Sequence, residues 1–143
     1  MNSNVVQLER VYNAPVNVLW KALTDKTEMK KWYFDLEEFK AEVGFKFIFM
    51  GGPCAEKQYV HLCEVTEVIP MKKLTYSWSY QGFEGMSYVT FELFDQEEST
   101  RLVLTHTGIE TFPQMNGDFT ISSFKEGWDY FINLSLKAYL ESV

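Results

Sequence analysis

The apolar positions change period twice along the chain. Val5 to Val11 alternates, with Val5, Gln7, Glu9 and Val11 on one side and Val6, Leu8 and Arg10 on the other, and predicts a first strand. Val16, Leu19, Trp20 and Leu23 then recur at helical spacing behind Pro15, whose missing N–H suits a first helical position, so a short helix is expected to end near Thr24. Thr27 is placed to cap a second short helix through Glu28, Met29, Lys30 and Lys31, leading into the aromatic run Trp32-Tyr33-Phe34. From Leu36 the period falls to two. Phe45, Phe47 and Phe49 alternate with Lys46, Ile48 and Met50, Gly51-Gly52-Pro53 reads as a turn that breaks the strand, and a further turn is expected around Cys54 to Lys57. Gln58 to Val68, Leu74 to Tyr80, Val89 to Leu93 and Arg101 to Thr107 follow as strands joined by short turns, which implies an antiparallel meander. The helical period returns from Asp118 to Val143. Ile121, Phe124, Trp128, Phe131, Ile132, Ser135, Leu136, Ala138, Tyr139 and Val143 share one side of that predicted helix. Extended by Gly127 and Leu134, this dry arc exceeds the roughly 100° stripe that faces a flat core, so its partner surface is expected to curve around it.

A strand, two short helices, a meander and a long helix bury their apolar faces most simply as an α+β helix grip. In that arrangement a curved antiparallel sheet, braced by the two N-terminal helices, wraps a C-terminal helix laid over its concave face. With 143 residues, 46% hydrophobic and 17% aromatic, the chain suits one domain spanning residues 1–143. Thirteen basic and twenty acidic residues leave a net charge of −7, which disfavours a nucleic-acid partner. The first nine residues lack a secretory layout and no apolar run approaches the roughly 18 residues of a membrane span, so a cytoplasmic location away from membranes is expected. Cys54 and Cys63 read as two free thiols.

Several segments together resemble one family. They are Ala14-Pro15-Val16-Asn17-Val18-Leu19-Trp20-Lys21-Ala22-Leu23-Thr24-Asp25 with Trp32, Glu64-Val65-Thr66-Glu67-Val68-Ile69-Pro70 leading to Trp78, Ser99-Thr100-Arg101-Leu102-Val103-Leu104-Thr105-His106-Thr107-Gly108, and Gly127-Trp128. They are similar to the domain homologous to the C-terminal part of the activator of Hsp90 ATPase, within the START-like or Bet v 1-like helix-grip superfamily. The resemblance implies a cavity between the terminal helix and the concave sheet. It also implies a choice of roles, because the superfamily hosts carriers, cyclases and co-chaperone domains.

The alternation nominates the lining of such a cavity. Phe45, Phe47, Phe49, Tyr76, Trp78, Val89, Phe91, Leu102 and Leu104 point inward toward Phe124, Trp128 and Phe131, with Trp32 beside them. These rings either fill the interior to ordinary density or leave an apolar pocket. His106 continues the inward register, as a ligand-orienting group or as a histidine satisfied by core partners, and Tyr76 and Tyr80 add hydroxyls. In the strand around His61 both faces are apolar; Tyr59, His61, Cys63, Val65 and Glu67 are taken as inward against Val60, Leu62 and Val68. Cys63 stands where the family often has glycine, which would narrow the cavity. His61 and Cys63 could join Cys54 or His106 on a metal, yet no ligand spacing recommends it, and neither metal nor cofactor is expected. No G-x-S-x-G and no phosphate-cradling loop is present, and no catalytic residue is nominated. The leading expectation is a non-enzymatic module that binds a small hydrophobic or aromatic molecule, covered by the segment Ile109, Phe112 and Met115. An Hsp90-type chaperone partner is the alternative, and a cyclase or hydrolase the third choice. Phe83 at a hairpin tip leaves room for a weak homodimer beside the monomer.

Overall fold

Two open edges and a curved middle organise the sheet. The structure, a computed structural model, describes residues 5–54 and 56–142, the side chains of 53 and 54 excepted. The strands are β1 (Val6–Tyr12), β2 (Lys46–Cys54), β3 (Lys57–Ile69), β4 (Lys73–Tyr80), β5 (Ser87–Gln96) and β6 (Ser99–Thr107). They are all antiparallel, in the order β1-β6-β5-β4-β3-β2. Helices α1 (Val16–Thr24) and α2 (Lys26–Trp32) carry the chain from one edge to the other. The cap of α2 differs from expectation. Asp25, not Thr27, accepts the backbone N–H groups of Thr27 at 2.9 Å and Glu28 at 3.4 Å, and its carboxylate also complements the helix dipole.

Side chains alternate as the pattern predicted. Phe47 and Phe49, then His61, Cys63 and Val65, then Leu74, Tyr76, Trp78 and Tyr80 are buried beneath the terminal helix, with Val89, Phe91, Leu93, Leu102, Leu104 and His106 completing the concave face. The doubtful strand β3 therefore faces inward through His61, Cys63 and Val65, and a bulge between Val65 and Glu67 ends that register. Gly51 and Gly52 do not form the turn. They lie inside β2 at an irregularity between Gly51 and Cys54, and the reversal comes where Cys54 pairs with Lys57, at the turn expected there. A Cβ on Gly52 would sit 1.9 Å from the Lys57 carbonyl oxygen, so the close approach of the two strands excludes any side chain there.

The terminal helix begins at Ile121 rather than Asp118. Its parts are α3 (Ile121–Asp129), a π-helical stretch (Tyr130–Ser135) and α4 (Leu136–Glu141), with Val143 outside the described residues. The Thr120 hydroxyl caps it by accepting the Ser123 N–H at 3.3 Å. Phe124, Trp128, Ile132 and Leu136 are buried at steps of four. In a pure α-helix each such step overshoots by about 40°, so the stripe would spiral off the sheet. The i→i+5 winding at Tyr130–Ser135 takes more residues per turn and keeps the stripe in line. It also turns Leu134, 61% exposed, and Ala138 toward solvent, so the dry arc is narrower than a continuous α-helix implied. The Tyr12 hydroxyl donates to the Ile132 carbonyl, Arg10 Nη1 to Asn133 Oδ1 at 2.9 Å, and the Ser135 hydroxyl to the Trp32 carbonyl at 2.6 Å, pinning this stretch to β1 and α2.

Candidate functional site: an aromatic cavity under the terminal helix

Near Trp128 the grip does not close. A cavity of about 540 Å³ opens between α3 and the β2–β4 end of the sheet. Gly51, Gly52, Tyr59 and His61 form one wall, and Trp78 and Tyr80 the floor. Phe34, from the segment after α2, stands at one side, and Asp118 and Phe119, from the 3-10 turn Gly117–Phe119, at the other. The roof is Ser123, Phe124, Gly127, Trp128, Tyr130 and Phe131. Glycine at 51 has a local reason, since a Cβ there would press on the Phe34 ring at 2.9 Å and on His61 at 3.1 Å.

Of the fourteen residues nominated from the sequence, His61, Trp78, Phe124, Trp128 and Phe131 meet at this cavity. The other nine lie away from its wall. Trp32 is buried and donates its indole N–H to the Ala22 carbonyl at 2.8 Å. Phe45 is half-buried beside Phe39, Phe47 meets Tyr76 edge-on at 5.1 Å, and Phe49 stacks against both Phe34 and His61, at 4.2 and 4.4 Å. Tyr76 shares a 2.8 Å hydrogen bond with the Tyr33 hydroxyl, while Val89, Phe91 and Leu104 are fully packed. Most of the grip is thus filled by rings, and the space left over is local. The expected cover is also different. Ile109 and Phe112 are buried in the core and Met115 is fully exposed, whereas Phe119 lies over the cavity, stacked on Tyr80 at 4.5 Å.

His106 is sealed. Trp128 donates its indole N–H to His106 Nδ1 at 2.9 Å, which places the ring proton on Nε2. Nε2–H then donates to the Ser87 hydroxyl at 2.7 Å, and that hydroxyl donates to the Trp78 carbonyl at 3.2 Å. Both ring nitrogens are engaged, and burial lowers the pKa to about 3. His61 keeps its neutral form for a similar reason. Burial lowers its pKa to about 4 against the pull of the Tyr59 and Phe49 backbone carbonyls, and Nδ1 lies 3.0 Å from the Tyr59 oxygen, so Nδ1 carries the proton. Cys63 is buried and its thiol is pushed up by burial alone. No three potential metal ligands come together among the described residues, and the Cys54 side chain lies outside them.

The rim carries the polar groups. The Tyr59 hydroxyl donates to Asp118 Oδ2 at 2.7 Å and accepts from Asn116 Nδ2 at 3.2 Å, while Lys57 Nζ reaches the same carboxylate oxygen at 2.9 Å. Hydrogen bonds from Tyr59 and Lys57 hold the Asp118 carboxyl below its usual range. This cluster fastens the start of β3 to the 3-10 turn, and so fixes Phe119 over the opening.

A curved antiparallel sheet gripping a long C-terminal helix, with a cavity between them, defines a helix-grip domain of the START-like or Bet v 1-like kind. Residues 13–141 match the family model described as activator of Hsp90 ATPase homolog 1-like protein, and the chain belongs to that family. Solved structures share the fold. MLL2253 from Mesorhizobium loti is 30% identical, with a TM-score of 0.79 over 97% of this chain and 98% of that one. CV1439 from Chromobacterium violaceum is 19% identical, with a TM-score of 0.81 over 98% and 99%. DynU16, from the dynemicin biosynthetic locus, is 24% identical with a TM-score of 0.79 over 98% of this chain and 48% of its own, so this chain spans about half of its length. No curated protein matches the sequence. No helix among the described residues is long and apolar enough to cross a membrane.

Proposed function

We propose that the domain binds an apolar, aromatic small molecule in the cavity beneath α3, without transforming it. The observation that carries this reading is a void of about 540 Å³ walled mainly by aromatic side chains beneath the helix, within the usual range of about 300–1,000 Å³ for ligand sites, in an interior that rings otherwise fill. Burial of apolar surface supplies the driving force, about 25 cal/mol per Å² before the costs of ordering. Chemistry has less support. Among the described residues Ser123 makes no hydrogen bond to a histidine, Cys63 is a buried thiol, and His106 is engaged on both nitrogens. An Hsp90-type partner rests on the family description alone, and a pull-down with the host chaperone addresses it separately.

The test uses N-phenyl-1-naphthylamine, a neutral fluorescent arene, followed by its own emission and by quenching of Trp78 and Trp128. Saturable one-to-one binding is expected. A Cβ on Gly127 would meet nothing within 4 Å, so Gly127→Leu places its side chain in open space at the roof of the cavity. That variant is expected to lose binding while the helix gains up to about 1 kcal/mol, because glycine is a poor helix former. No binding by the wild type, or full binding by a folded Gly127→Leu, overturns the reading.

A further inference from the structure

The cavity wall offers acceptors and very few donors. The indole N–H of Trp78 is directed to the Tyr80 hydroxyl at 2.9 Å and that of Trp128 to His106 at 2.9 Å, so both indoles turn only carbon toward a guest. His61 has its proton on Nδ1, facing the Tyr59 carbonyl, which leaves Nε2 as an acceptor. The remaining side-chain donors are the hydroxyls of Tyr80, Ser123 and Tyr130. Among the described residues no lysine or arginine borders the cavity. The charged group that does is Asp118. Its Oδ2 already receives Tyr59 and Lys57, and its Oδ1 has no partner among the described residues. Lys57 stands outside the wall with 56% of its side chain in water.

From this arrangement we infer that Asp118 sets the charge selectivity of the site, which takes flat aromatic ligands that are neutral or carry an amine or hydroxyl donor and rejects the same skeleton bearing an anion. The inference rests on the binding reading above and names the ligand class for it. An anionic group entering the cavity gives up its hydration, meets no cation in the wall, and finds at the rim a carboxylate whose counter-ion, Lys57, lies outside the wall and half in water, so desolvation and repulsion act together. An amine or phenol meets the opposite situation. Its N–H or O–H can reach Asp118 Oδ1 or His61 Nε2, and a partial positive charge is favoured over the faces of the surrounding rings.

Two compounds isolate the charge. N-phenyl-1-naphthylamine and 1-anilinonaphthalene-8-sulfonate share one arene and one amine and differ by a sulfonate. The wild type is expected to bind the neutral compound at least about tenfold more tightly. Asp118→Asn, which still offers an amide oxygen to the Tyr59 hydroxyl and to the probe's amine, is expected to close most of that gap by strengthening the sulfonate, with a loss for the neutral compound much smaller than that gain. Lys57→Met leaves the carboxylate without its counter-ion and is expected to widen the gap. Equal binding of the two compounds by the wild type overturns this inference alone, whereas absence of any binding overturns the binding reading beneath it. A gap that survives Asp118→Asn assigns the selectivity to the overall charge of −7 and removes Asp118 from it. A narrower gap in Lys57→Met also overturns the assignment.

Discussion

The two buried histidines make stability depend on pH in a window where few other groups titrate. In the folded protein His106 binds a proton only near pH 3 and His61 only near pH 4, against an ordinary value of 6.5. Between 6.5 and about 4 the unfolded chain therefore holds more protons than the fold, and stability falls as the pH falls. Above 6.5 both rings are neutral in either state and the full stability is present. Each histidine contributes a slope of about 1.4 kcal/mol per pH unit, so two contribute about 2.7. At pH 5 the loss reaches about 4 kcal/mol, a large share of the roughly 5–15 kcal/mol that holds a domain of ordinary stability. Asp118 acts in the same direction only as the pH approaches 3.8 and below, so the range from 6 to 4.5 isolates the imidazoles. Urea unfolding followed by tryptophan emission at half-unit steps measures the slope. His61→Gln and His106→Gln should each remove about half of it, whatever they cost at pH 7. A flat profile across this range, or a slope that neither substitution changes, refutes the buried neutral state of these rings.

Other substitutions test particular contacts. Trp128→Phe deletes the donor to His106 Nδ1 and leaves a buried acceptor unpaired, which should cost about 2 kcal/mol and lower the melting temperature by about 6 °C in calorimetry. Thr100→Val removes the buried 2.8 Å bond to the Ala14 carbonyl that ties β6 to the entry of α1, and about 1–2 kcal/mol should be missing from urea-unfolding stability. Gly52→Ala drives a Cβ into the Lys57 carbonyl and should destabilise by about 3 kcal/mol; an unchanged melt would contradict the strand approach.

The fold was legible because most of it is periodic. Alternation at Phe47 and Phe49, at Leu74 to Tyr80 and at Leu102 to His106 marks which side of each strand is dry, and α1 and the terminal helix announce themselves by their own period. Alternation assigns a face, however, and a cavity is a matter of volume within that face. Phe47, Tyr76 and Phe91 share the concave side with Trp78, yet neighbouring rings fill the space around the first three and not around the last. The glycine pair at 51–52 held a readable signal, since glycine inside an alternating run marks a bulge or a close approach as well as a turn. Gly127, in the interior of a helix where it is costly, was another. Phe34, Asp118 and Phe119 had none, because they belong to an irregular stretch and a 3-10 turn whose backbone has no long period to read. These residues are also the ones that give the cavity its side, its charge and its cover. The strands and helix fix where a void can form, and on the binding reading proposed above the short irregular segments at its rim are what would set which molecules it admits. Within one grip, ligand preference can therefore change through two or three rim residues while every buried stripe stays in place.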